Sequence, residues 1–304
     1  MPRLRGVGTK LATRLSVNSL ARSLAGCALC LGCTAPAEMR DVSYDDRFGA
    51  ATTMDVFLPD GEARDRPAIL MIHGGAWRTG SKEHYHDAAI RMARSGYVAA
   101  AINYRLVPDG AYPRGVQDCV CALSYLRAHA DELGLDPARV AVAGYSAGGH
   151  LASLLGMAAD APEHEPDCAS GGTGLPNAVI SAAGVQDFHG KDHGWIHDFL
   201  GGSESEVPEI YDAASPISRV APGKPPLLML AGGADWLVDT EDMERMRDAL
   251  RDTGNDAELL LTSGGGHLLN PDENVGALDV ELADLTPEGW TAMAEFLERQ
   301  LGRP

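Results

Sequence analysis

The chain has 304 residues, 45% hydrophobic and 22% charged, an ordinary soluble composition with length for one large α/β domain or two small ones. Its formal charge of −18 is uneven: residues 1–40 carry six basic side chains against the single acid Glu38, a net of +5, so the rest stands at −23. A body that acidic repels phosphate backbones, which excludes nucleic acid as a partner and favours neutral or cationic small molecules, although the same charge also serves solubility alone.

The basic start runs into "SLAGCALCLGCTAPAE" (23–38), a short apolar stretch ending in small residues. Residues 1–37 therefore read as an export segment of secretory or lipoprotein type, with a disordered extension of a cytoplasmic protein as the alternative. Cleavage before Cys27, before Cys33 or after Ala37 all fit the letters, and the run is too short to span a bilayer permanently, so a membrane enters only through an N-terminal lipid anchor. Three of the six cysteines fall here; Cys119 and Cys121 lie two apart on a helical pattern and pair poorly with each other, Cys168 sits in a Gly/Ser-rich loop, and no disulfide framework or metal-type spacing is indicated.

Residues 41–304 read as one domain. Strands are expected at 52–59 ("TTMDVFLP"), at 68–75 ("AILMIHGG", a continuous buried run) and at 96–106 ("GYVAAAINYRL"). From Val116 the spacing becomes helical, with Cys119, Val120, Leu123, Leu126 and Ala130 on one stripe ending near Gly134. A strand "RVAVAGYS", a helix "AGGHLASLLGMAA" and a strand over 177–184 follow, then a strand over 225–235. The helix over 239–254 opens with Asp239 as its N-cap and closes on Gly254, and Met243 and Met246 belong to its core face. A strand over 256–264 and a helix over 286–301 with Pro287 in its first turn complete the chain. Strands alternating with helices imply a mostly parallel sheet covered by helices on both faces. The stretch 185–225 is too long for a plain crossover and is expected to line or cover a site.

Gly144-Tyr145-Ser146-Ala147-Gly148 joins a strand to a helix, the G-x-S-x-G spelling of a nucleophile elbow, which an ordinary tight turn could also show. A hydroxyl becomes a nucleophile only when a base takes its proton, and His267, just past the strand 256–264, is placed for that role. His150, four residues beyond Ser146 on the helix, is read as packing. Asp235 closes the apolar strand "LLMLAGGAD" and would fix the histidine tautomer, whereas Asp239 reads as a cap. Three side chains in the order Ser146, Asp235, His267, each just beyond a strand's C-terminal end, are hard to obtain by accident. The glycines of "HGGAW" (73–77) free N–H groups, so Gly75 and Ala76 together with Ala147 are the candidate oxyanion donors, with Gly74 shaping the turn. His189, His193 and His197 recur every four residues, but Gly190 and Gly194 interrupt the pattern and no metal is expected.

On these residues the chain resembles an α/β-hydrolase esterase of the group that includes hormone-sensitive-lipase-like enzymes and acetylxylan/feruloyl-esterase-like (BD-FAE type) carboxylesterases. The matching spellings are His73-Gly74-Gly75, Asn103-Tyr104-Arg105-Leu106 with Pro108 and Tyr112-Pro113, the elbow through His150, Leu200-Gly201-Gly202, Ala214-Ser215-Pro216, Asp235 and Gly266-His267. The resemblance covers about residues 50–300 and implies the α/β-hydrolase fold with little or no N-terminal cap. It implies Ser146 as nucleophile, His267 as base and Asp235 as its orienter, with no cofactor. Ala76 and Trp77 stand where the lipase pattern has a third glycine, which leans towards carbohydrate esterases or arylformamidases. The expected activity is hydrolysis of short-acyl or aryl esters, of small molecules or attached to polysaccharide. A kynurenine-formamidase-like activity is the rival, and a non-catalytic binder on the same scaffold a remote third. Trp77, Tyr145, Trp195 and Trp236 are the candidate substrate contacts; Phe188 and Phe199 could wall a pocket or fill the core.

Overall fold

A computed structural model describes residues 36–61, 64–172, 174–262, 265–267, 282 and 285–304. The export segment expected over 1–37 lies outside the described residues except for its last two positions. Ala37 already opens the first strand, β1 (Ala37–Ser43), ahead of the residue-41 start expected from sequence. The elements then run β2 (Thr53–Leu58), β3 (Arg66–Ile72), α1 (His86–Arg94), β4 (Val98–Ile102), α2 (Arg114–Ala128), α3 (Ala130–Leu133), β5 (Leu135–Tyr145), α4 (Ala147–Ala158) and β6 (Ala178–Ala182). After these come α5 (Gly194–Leu200), α6 (Pro208–Ala214), β7 (Leu227–Gly232), α7 (Thr240–Asp252), β8 (Ala257–Thr262) and α8 (Pro287–Leu301).

Among the described residues the strands form an eight-stranded sheet in the order β1-β2-β4-β3-β5-β6-β7-β8. Only β2 runs against the others, pairing antiparallel with β1 and β4, while β4, β3, β5, β6, β7 and β8 are mutually parallel. Strand alternation divides the core. Leu70, Ile72, Ala100 and Val142 face a cluster shared with α2, α4 and α7, and Ile69, Met71, Ala101 and Ala143 face one shared with α1 and α8. Asp239 caps α7 by accepting the Glu241 N–H at 2.9 Å, and Met243 and Met246 are buried on its inner face.

Four elements escaped the sequence reading: β1, whose burial is slight; α1, faced by Ala88, Ala89, Met92 and Ala93 but only nine residues long; and α5 and α6, seven residues each, inside the 185–225 stretch. The cysteine expectation also needs correcting. Cys121 is bonded to Cys168, tying α2 to the loop before β6, and Cys119 is a buried free thiol. Neighbours in sequence were rightly poor partners, but the fold brings a distant one within reach.

Candidate active site

Ser146 sits at the corner between β5 and α4 with φ 52° and ψ −118°, a left-handed backbone costing about 1–2 kcal/mol for a residue with a Cβ. Close packing holds it there. The Ser146 N–H donates to the Ala182 carbonyl at 2.8 Å. Gly148 lies so near the carbonyls of Ile72 and His73 that a side chain would collide with them. The corner lifts the hydroxyl above the C-terminal edge of the parallel strands, where β7 and β8 deliver the other two groups.

His267 bridges them. Its Nε2 lies 3.0 Å from Ser146 Oγ, and its Nδ1 lies 3.0 and 3.2 Å from the two Asp235 carboxylate oxygens. A carboxylate only accepts, so Nδ1 carries the proton and Nε2 is left as the base for the serine hydroxyl. The Asp235 side chain has no exposed surface and that of His267 only 11%, so their attraction is little weakened by water. Asp235 is itself anchored, because Oδ1 accepts the N–H groups of Leu237 at 2.9 Å and Val238 at 3.0 Å. Asp239 stays at its helix cap, as expected. His150 is buried and donates from Nε2 to the Ala214 carbonyl at 2.9 Å; burial pushes its pKa down to about 4, so it is neutral and takes no part in the proton relay.

Facing the serine is the turn after β3. Gly75, Ala76 and Trp77 all have positive φ (105°, 50° and 57°), and the Gly75 carbonyl accepts the N–H groups of Arg78 and Thr79, both at 3.0 Å. The N–H groups of Gly75, Ala76 and Ala147 donate to no acceptor among the described residues, and Ala147 is the first residue of α4, where the helix dipole favours negative charge. Gly74 abuts the elbow: a Cβ there would stand 3.0 Å from the Tyr145 carbonyl oxygen and 3.3 Å from the Ser146 Cβ. His73 holds the turn from behind, donating from Nδ1 to the Gly74 carbonyl at 2.8 Å and stacking on Tyr104 at 4.4 Å; burial lowers its pKa to about 4.

The candidate substrate contacts divide. Trp236 is 69% exposed beside Asp235, and Trp195 is half-buried between Trp77 and His193. Trp77 and Tyr145 are corrected: both are buried. The Trp77 indole, 1% exposed, stacks on Phe199 at 4.4 Å, and the Tyr145 hydroxyl donates to the His267 carbonyl. Phe188 and Phe199 are core residues. The stretch 185–225 folds into α5 and α6 rather than a bare cover, and its aromatics pack under the Gly75–Trp77 turn. The three spaced histidines diverge: His189 pairs with Glu204 and Asp212, His197 with Asp192, and His193 stacks on Trp195. The Tyr145–His267 bond was invisible in the sequence, since the variable letter of G-x-S-x-G carries no hint of its partner.

The family model described as BD-FAE matches residues 54–250. Among curated relatives, Esterase LipC of Mycobacterium tuberculosis is 32% identical over 242 residues, which is 75% of this chain and 59% of LipC, so the chain spans less than two thirds of that protein. Among solved structures, the Thermogutta terrifontis esterase Est2 with butyrate bound is 26% identical with a TM-score of 0.67, covering 87% of this chain and 94% of that one. A truncated carbohydrate esterase from gut microbiota has a TM-score of 0.74 at 22% identity, covering 88% and 97%, and shows the shared fold. The architecture is that of the α/β-hydrolases.

Proposed function

The chain belongs to the BD-FAE family, and from that membership we propose that it is a serine carboxylesterase acting through an acyl-enzyme on short-acyl esters. The observation that carries this reading is the continuous relay Ser146 Oγ, His267 Nε2, His267 Nδ1, Asp235 at 3.0 Å per step. Ser146 Oγ attacks the ester carbonyl as its proton passes to Nε2. The tetrahedral oxyanion is held by the N–H groups of Gly75, Ala76 and Ala147, each worth roughly 3 kcal/mol in the transition state. The imidazolium returns the proton to the departing alcohol, and water activated by the same nitrogen releases the acid.

A short acyl preference draws support from Est2, solved with butyrate, and a polysaccharide-linked ester from the carbohydrate esterase of the same fold. Export is supported by the leader-like 1–37 and by the Cys121–Cys168 disulfide, a bond that persists in oxidising compartments. A fluorophosphonate probe should label the protein and fail on Ser146→Ala, and p-nitrophenyl acetate and butyrate should be cleaved at least tenfold faster than the octanoate. An unlabelled wild type overturns the serine mechanism, and a large preference for N-formylkynurenine over the esters replaces the ester reading with a formamidase.

A further inference from the structure

We propose that Trp77 is a positioning residue for the oxyanion donors: its buried ring holds the left-handed Gly75–Trp77 turn in the one shape that aims the Gly75 and Ala76 N–H groups at the substrate oxygen. The inference rests on the esterase reading above and assigns a part to a residue that touches no reacting atom.

Three successive residues in left-handed backbone, two of them bearing a Cβ, form a turn that would relax if nothing outside it resisted. The restraint comes from the Trp77 side chain. Its indole stacks on Phe199 at 4.4 Å and 10°, and on Trp195 at 5.7 Å and 27°. Phe188 closes a third side at 5.6 Å, and His150 meets it edge-on at 5.1 Å. The Trp77 carbonyl accepts the Val107 N–H at 2.9 Å, so backbone and ring are both fixed. His150 lies on α4, the helix whose first N–H belongs to the same oxyanion site, and its own ring is fixed by the Ala214 carbonyl. One indole therefore sets the spacing between the donors after β3 and the nucleophile after β5. The 185–225 stretch supplies Phe188, Trp195 and Phe199, which gives that insertion a role in the chemistry from beneath. Because the indole Nε1 bonds no acceptor among the described residues, replacing Trp77 by Phe removes shape without breaking a hydrogen bond.

The test compares wild type, Trp77→Phe and Trp77→Ala in kcat and KM for p-nitrophenyl acetate. It adds inhibition by a trifluoromethyl ketone and by the matching alcohol. With the ketone, Ser146 Oγ bonds to the carbonyl carbon, the carbon–oxygen π bond opens to an oxyanion, and the hydroxyl proton moves to His267 Nε2; the alcohol only occupies the pocket. Trp77→Ala is expected to lower kcat roughly 10²-fold with KM within threefold, to weaken the ketone by the same factor, and to leave the alcohol within threefold. Trp77→Phe should recover most of the loss. A folded Trp77→Ala with kcat and ketone affinity near wild type overturns the proposal, as does equal weakening of ketone and alcohol, the mark of mere packing. If Trp77→Ala does not fold, Phe199→Leu is read by the same criteria, with about a tenfold parallel loss expected. A wild type that takes no fluorophosphonate at Ser146 removes both the esterase reading and this inference, whereas a labelled wild type with an unaffected variant removes the inference alone.

Discussion

Replacing Asp235 by Asn changes one atom, and the surrounding bonds dictate which. Asp235 Oδ1 accepts two backbone N–H groups, from Leu237 and Val238, so the amide oxygen of Asn must take that place. The NH2 group then occupies the Oδ2 position, 3.0 Å from His267 Nδ1. An NH2 group donates, so Nδ1 is forced to accept and the ring proton moves to Nε2, pointing at Ser146 Oγ across 3.0 Å. The base is lost, and so is the negative charge that stabilises the imidazolium. The expected fall in kcat is about 10⁴-fold, equivalent to ~5.4 kcal/mol. Initial rates on p-nitrophenyl acetate and the rate of fluorophosphonate labelling should fall together, while the melting temperature shifts little because the backbone bonds to Oδ1 survive. Asp239→Ala is the control: it removes the cap on α7, costing about 1 kcal/mol of stability, with activity within twofold. An Asp235→Asn enzyme within tenfold of wild type, or a greater loss in Asp239→Ala, would refute this account of the relay.

Tyr145→Phe deletes the hydroxyl that donates to the His267 carbonyl, so kcat should drop roughly tenfold with KM unchanged in steady-state kinetics; equal rates would mean the loop holds its histidine unaided. Cys168→Ser opens a loop closed over a sequence separation of 47, which loop-closure entropy values at up to about 4 kcal/mol, so calorimetry should show the melting point lowered by roughly 10 °C. His73 and His150 have pKa values lowered by burial from 6.5 to about 4, and that of His164 moves the same way. The unfolded chain therefore binds protons that the folded one refuses between those values. Stability is complete above about pH 6.5 and declines as pH falls towards 4, by about 3 kcal/mol for each of His73 and His150. Urea midpoints at pH 7 and 4.5 measure this, and an unchanged midpoint would contradict it.

The sequence by itself determined the elements that carry the chemistry. The period-2 and helical patterns located β3, β5, β7, β8, α2, α4 and α7, and the glycine spelling around Ser146 with Asp235 and His267 just past strand ends pointed to three side chains that the structure brings within hydrogen-bond distance of one another. These features are local, because each depends on residues within a few positions, and the parallel sheet then brings all its strand ends to one edge. The strand β1 escaped because little of it is buried, and the helices α1, α5 and α6 escaped because nine or seven residues complete too few turns for a period to stand out. Only the tertiary structure decided pairings across the chain. The Cys121–Cys168 bond, the Tyr145 hydroxyl on the His267 carbonyl and the Trp77 ring against Phe199 all join residues at least 40 positions apart. An aromatic side chain has the same letters whether it walls a pocket or fills a core. From the letters alone Trp77 and Tyr145 read as substrate contacts; the path of 185–225 and the packing of the two core layers bury both.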